Sequence, residues 1–149
     1  MRKSLLCLLL CAISISGSAW AQQSPQCAGN YKQGGNYLLG RQFSTWGIVP
    51  VSPDVAFRRI ARAGVAAGLT LVSSDKDAGV LSFRQNNAGT QTFVGNGQQV
   101  SIPWNVVIEP DGSGSKISVN KSTPPSYSVS KDFEIKSMCS VIDSAAKDQ

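Results

Sequence analysis

Four cysteines, at positions 7, 11, 27 and 139, set the frame for this chain, because the first two lie in a segment expected to leave before the rest folds. Arg2 and Lys3 open the chain, an apolar run extends from Leu5 to Ile15, and Ser16, Gly17 and Ser18 lead into Ala19-Trp20-Ala21. A basic start, a short apolar run and small residues before a cleavage point are the parts of a secretory leader. Cleavage is expected between Ala21 and Gln22, which makes residues 1–21 a signal peptide. The run is about eleven residues, well short of the roughly 20 needed for a membrane-crossing helix, so a leader is favoured over a permanent anchor. Lipid attachment at Cys11 is disfavoured, because Leu10 is bulky where a small residue is wanted and apolar Ala12, Ile13 and Ile15 follow.

Cys27 and Cys139 then remain. An even pair in an exported chain reads as a disulfide. It would tie the start of the domain to its last helix, a closure worth roughly 4 to 5 kcal/mol in the chain-entropy model. No Cys-x-x-Cys spacing occurs, so a structural bond is expected and not a redox-active one.

The leader takes two of the 14 basic residues and leaves 12 against 9 acidic ones. Such a mild excess is not the concentrated basic surface of a nucleic-acid binder, and export points the same way. The expected address is the periplasm or the exterior, with another envelope protein as partner. The chain contains no histidine, which excludes Ser-His-Asp and Cys-His nucleophiles and His-based zinc sites. No catalytic residue, metal ligand or cofactor motif is nominated. Asp75-x-Asp77-x-Gly79 lacks the third acid and distal glutamate of a calcium loop, and Gly112 to Lys116 lacks phosphate-loop spacing. Both read as turns.

Residues 22–40 are rich in Gln, Gly, Asn and Ser and show no period, so they read as an irregular arm held by Cys27. The single domain is expected over 41–149. Arg41 to Val51 has strand composition. Ser52, Pro53 and Asp54 then supply an N-cap, a first-turn proline and a dipole-matched acid. Ala56, Ile60, Ala63 and Ala67 line one face of the helix that follows, and Gly68 suits its C-terminal cap. Leu69 to Ser74 and Val80 to Gln85 form a hairpin around Asp75 to Gly79, and Thr90 to Val94 is a candidate short strand. Asn96-Gly97 marks a tight turn into Val100 to Glu109, where Pro103 demands a bend or an edge. Lys116 to Asn120 alternates as a strand does. Ser130 caps a final helix with Ile135, Cys139, Ile142 and Ala146 on its buried face, widened by Phe133, Met138 and Ala145.

Short turns imply antiparallel pairing, so the expected class is α+β: one antiparallel sheet of four to six strands, two helices packed on one face, in β-α-β-β-β-β-α order. This order resembles that of TBP-like and helix-grip domains, and within that group the capped helix and hairpin from Ser52 to Phe83 resemble the repeated domains of the outer-membrane assembly lipoprotein BamC and other small bacterial envelope domains. The resemblance implies an envelope adaptor and supplies no catalytic residues. Arg58, Arg59 and Arg62 on the outer face of the first helix, with Trp46 and Trp104, are the candidate partner-binding residues. The expected function is a non-enzymatic interaction protein of the envelope. An inhibitor or immunity-type protein against an exported enzyme is the nearest alternative, and a hydrolase using carboxylates or a Ser-Lys pair is the alternative from another class.

Overall fold

A computed structural model describes residues 25–87 and 100–147. The expected leader, Cys11, the expected cleavage residues Ala19, Ala21 and Gln22, the strand expected at Thr90 to Val94 and the turn expected at Asn96-Gly97 lie outside the described residues. The elements are α1 (Pro25–Gly29), β1 (Lys32–Asn36), β2 (Gly40–Val49), α2 (Pro53–Ala66), β3 (Thr70–Asp75), β4 (Val80–Asn87), β5 (Val100–Asp111), β6 (Gly114–Thr123) and α3 (Lys131–Ala146). All six strands form one antiparallel sheet in the order β1-β2-β6-β5-β4-β3. From β2 onward the chain follows the expected β-α-β-β-β-β-α order, with α1 and β1 added in front.

That addition corrects the reading of residues 22–40 as irregular over the described part, residues 25–40. Lys-Gln-Gly-Gly-Asn carries no apolar alternation, so β1 is a strand because β2 offers it a backbone ladder, not because its side chains seek a core. The hairpin turn is built by Asn36, whose Oδ1 accepts from the Leu38 and Leu39 amides at 3.0 and 2.9 Å.

Strand alternation builds the core. Phe43 and Val49 of β2, Leu81 and Phe83 of β4, Trp104 and Val106 of β5 and Ile117 and Val119 of β6 are all buried. Ala56 and Ile60 of α2 and Met138, Ile142 and Ala145 of α3 cover them. The α2 helix starts at Pro53 as expected, although the Ser52 side chain makes no capping bond. Its end is a glycine cap. Gly68 adopts φ 85°, its amide donates to the Val65 carbonyl, and the Leu69 amide reaches back to Gly64. Gly64 also lets the helix lie close to the sheet, since a Cβ there would stand 2.7 Å from the Phe83 ring.

In α3 the Ser130 hydroxyl accepts from the Phe133 amide at 3.3 Å, the expected cap. Its buried face is turned from the expected one. Glu134, Met138, Cys139, Ile142, Ser144 and Ala145 are buried, whereas Phe133 and Ala146 are exposed. This rotation sets Glu134 against Lys121 of β6, as described below. Pro103 lies in β5, an interior strand, but pairing with β6 begins only at Trp104. The proline therefore occupies a stretch paired on one side, where its missing N–H costs no ladder bond.

Cys27 and Cys139 form the disulfide. Their Cα atoms lie 5.7 Å apart across a sequence separation of 112, and both residues are wholly buried between α1, β2 and α3.

Candidate functional site

On the inner face of β6, alternation carries Ile117 and Val119 on to Lys121, which is as buried as its neighbours. Its Nζ lies 2.8 Å from both carboxylate oxygens of Glu134, with the two side chains 1% and 0% exposed. The ammonium also sits 4.6 Å from the centre of the Trp104 ring. Burial pulls the Lys121 ammonium below the usual lysine range, and the hydrogen bond and charge of Glu134 oppose that pull. Nearby Tyr31 is pushed up, first by burial and then by the Glu134 carboxylate, against the lowering effect of Arg41. Sealed from solvent, the pair welds α3 to β6 and is not placed to meet a substrate.

Beside this weld the sheet and helices part. A cleft of about 180 Å³ is lined by Ala67 and Leu69 at the end of α2, Gln85 and Trp104 of the sheet, and Phe133 and Val141 of α3. Gln85 Oε1 accepts from the Trp104 indole N–H at 3.0 Å, which fixes the ring as a wall. Phe133 is 54% exposed at this opening. The chamber is the size of one or two side chains, apolar with a few hydroxyl and amide groups.

Leu69 leads directly into β3, the last strand of the sheet. All six β3 residues are exposed, Leu71 and Val72 at 38% and 52%. On one side β3 pairs with β4, with a bulge between Leu71 and Ser73. Among the described residues no strand pairs with its other side. An exposed edge that carries Leu71 and Val72 among polar residues, next to a partly apolar cleft, can take an extended peptide, the backbone filling the ladder and a side chain entering the cleft.

The residues singled out from sequence do not meet in one place. Arg58 and Arg62 are exposed on α2, but Arg59 turns to donate from Nη1 to the Ala145 carbonyl at 2.9 Å, tying α2 to the last turn of α3. Trp104 is a core residue and cleft wall, and Trp46 lies half-buried on the opposite face of the sheet. Sequence reasoning passed over Lys121 and Glu134. The available signal was position: Lys121 continues the inward register of Ile117 and Val119, and Glu134 stands one and two turns ahead of Met138 and Ile142.

One hollow gathers acids, with Asp54, Asp77 and Glu109 around Lys76. It is open, Asp54 pairs with Lys76 at 3.3 Å, and Glu109 pairs with Lys116 at 3.8 Å. Solvated, lysine-paired carboxylates of this kind form a charged surface. No group of three or more acids and cysteines able to hold a metal occurs among the described residues.

No protein-family model matches the chain, and no curated protein matches it significantly. Solved structures do. CalU16 from Micromonospora echinospora is 7% identical, with 78% of this chain and 80% of that chain covered and a TM-score of 0.51. Ara h 8.0201 is 11% identical over 70% of this chain and 94% of its own, with a TM-score of 0.49. EF2215 from Enterococcus faecalis, a conserved protein of unknown function, is 10% identical over 80% and 76%, with a TM-score of 0.47. None of the three is named as a BamC-like protein. The likeness to CalU16 supports the fold alone: an α+β domain with one antiparallel sheet folded against its C-terminal helix, the helix-grip arrangement.

Proposed function

We propose that this chain is an exported, non-enzymatic interaction protein of the bacterial envelope that takes an extended segment of a partner protein along β3. The observation that carries the reading is the edge itself: six exposed residues, Thr-Leu-Val-Ser-Ser-Asp, beside a cleft of one-side-chain size. Main-chain pairing supplies affinity in this mode and the neighbouring pocket supplies selectivity. A buried disulfide supports an oxidising compartment. Among the described residues no helix is long and apolar enough to cross a membrane. The capped helix and hairpin from Ser52 to Phe83, on which the resemblance to envelope domains rests, favour an adaptor role.

A crosslinking pull-down of the tagged mature protein from its own envelope tests the reading, with Val72→Lys as comparator. One dominant envelope protein captured by the wild type and lost with Val72→Lys is the expected result. Equal capture by both proteins, or none by either, overturns it. If the captured protein is an enzyme whose activity falls on binding, the adaptor reading gives way to the inhibitor reading at the same edge.

A further inference from the structure

The face of the sheet turned away from the helices carries a second surface that β3 does not share. Outward residues of β2 and β6 stand in cross-strand pairs: Gln42 with Ser122, Ser44 with Asn120, and Trp46 with Ser118. Water-facing sheet surfaces are polar as a rule, so hydroxyls and amides alone would be unremarked. What sets this surface apart is relief and an indole. Two hollows, of about 280 and 350 Å³, share Lys32, Ser44 and Asn120 and so run together as one groove over β1, β2 and β6. Gly34, which has no side chain, helps keep the groove open on the β1 side.

Trp46 lines this groove and is half-buried, in contrast to Trp104, which the core encloses. The Asn30 side-chain amide donates to its carbonyl at 3.1 Å, which steadies the backbone beneath the ring. Lys116 holds its ammonium 5.4 Å from the ring centre. The charged groups lining the two hollows are lysines, Lys32 and Lys121, and no carboxylate does so. Lys121 turns inward to Glu134, leaving Lys32 as the cation in the groove, with Lys116 over the indole and paired at 3.8 Å with Glu109, a solvent-exposed pair that a ligand carboxylate can compete for.

We propose that this groove binds an acidic glycan, a chain of sugar rings bearing carboxylates. A pyranose ring presents a flat apolar C–H face suited to an indole, and a rim of hydroxyls suited to paired Ser, Asn and Gln side chains. Its carboxylates suit Lys32 and Lys116. A protein partner would want a desolvated apolar centre, which one tryptophan among amides and hydroxyls does not provide. A nucleic acid would want a longer run of cations.

Calorimetric titration of the mature, disulfide-bonded protein tests this with three probes: oligogalacturonate, soluble peptidoglycan strands and neutral cellohexaose. Binding of an acidic probe is expected, and which of the two binds identifies the source of the carboxylate. Trp46→Ala is expected to weaken that binding at least tenfold, and Lys32→Gln with Lys116→Gln to erase the preference for acidic over neutral sugar. Asn120→Ala gives a second loss of affinity that does not depend on the tryptophan variant folding. Val72→Lys is expected to leave glycan binding unchanged, which separates this surface from the β3 edge. No binding of either acidic probe at millimolar concentration overturns the proposal, as do equal binding of cellohexaose and full affinity in both Trp46→Ala and Asn120→Ala.

Discussion

The two margins of the sheet are held in different ways. Along β1, β2 and β6 the fold is stapled: Cys27–Cys139 fastens α1 to α3, Lys121–Glu134 fastens β6 to α3, and Arg41 of β2 donates to the Tyr127 carbonyl at 2.8 Å. Along β3 and β4 the ties are the antiparallel ladder, the packing of Phe83 under Gly64, side-chain hydrogen bonds from β4 to β5 (Ser82 with Asn105, Gln85 with Trp104) and an exposed Lys76–Asp54 pair. Composition differs in step. The β1 edge is Lys-Gln-Gly-Gly-Asn, with a charge and two glycines that discourage a further strand, whereas β3 offers Leu71 and Val72. On the proposed reading, the blunted edge belongs to the stapled margin and the receptive edge, despite its bulge, to the other. A partner binding at β3 would meet a margin without the disulfide and the buried ion pair of the other.

The largest expected effect lies in the stapled margin. Glu134→Ala leaves the Lys121 ammonium buried without its partner, and chemical denaturation should show a loss of about 3 to 5 kcal/mol. Lys121→Met combined with Glu134→Leu should recover most of it, since apolar replacements of similar size remove both buried charges. A mild effect of Glu134→Ala alone would mean the weld is not what holds α3 to β6. Replacing Cys27 and Cys139 together by alanine should cost about 2 to 5 kcal/mol, read as a lower melting temperature that reductant no longer shifts.

On the other margin the expected effects are smaller. Gly64→Ala drives a methyl group into the Phe83 ring and should cost about 1 to 3 kcal/mol. Should it cost as much as Glu134→Ala, the contrast between the margins would fail. Val72→Lys changes an exposed side chain and should move stability by no more than about 0.5 kcal/mol while abolishing partner capture.

Local signals explain which parts of this architecture were legible from residues alone. Pro53, Asp54 and Gly68 delimit α2, Ser130 caps α3, and the glycines at 79 and 112 sit at positive φ in the hairpin turns they mark. Each of these acts within a few residues of itself. What the residues did not show was longer in range. β1 has no side-chain period and exists through its partner. Pro103 suggested a bend or an edge in β5, whereas the edges of the described sheet are β1 and β3, a fact of strand order that no local motif encodes. A lysine and a glutamate read as surface residues until β6 and α3 are set face to face. The disulfide was legible because only two cysteines, Cys27 and Cys139, lie beyond the expected leader.

Site-specific photo-crosslinking in the native envelope compares the two margins most directly, with the photoreactive residue placed at Val72 on β3 in one protein and at Gln33 on β1 in another. Both positions are exposed edge residues, so each reports what lies against its own margin. A single discrete adduct from position 72, with none from position 33, is the result expected if β3 is the receptive edge. The same adduct from both positions, or an adduct from position 33 alone, would contradict the assignment of function to β3.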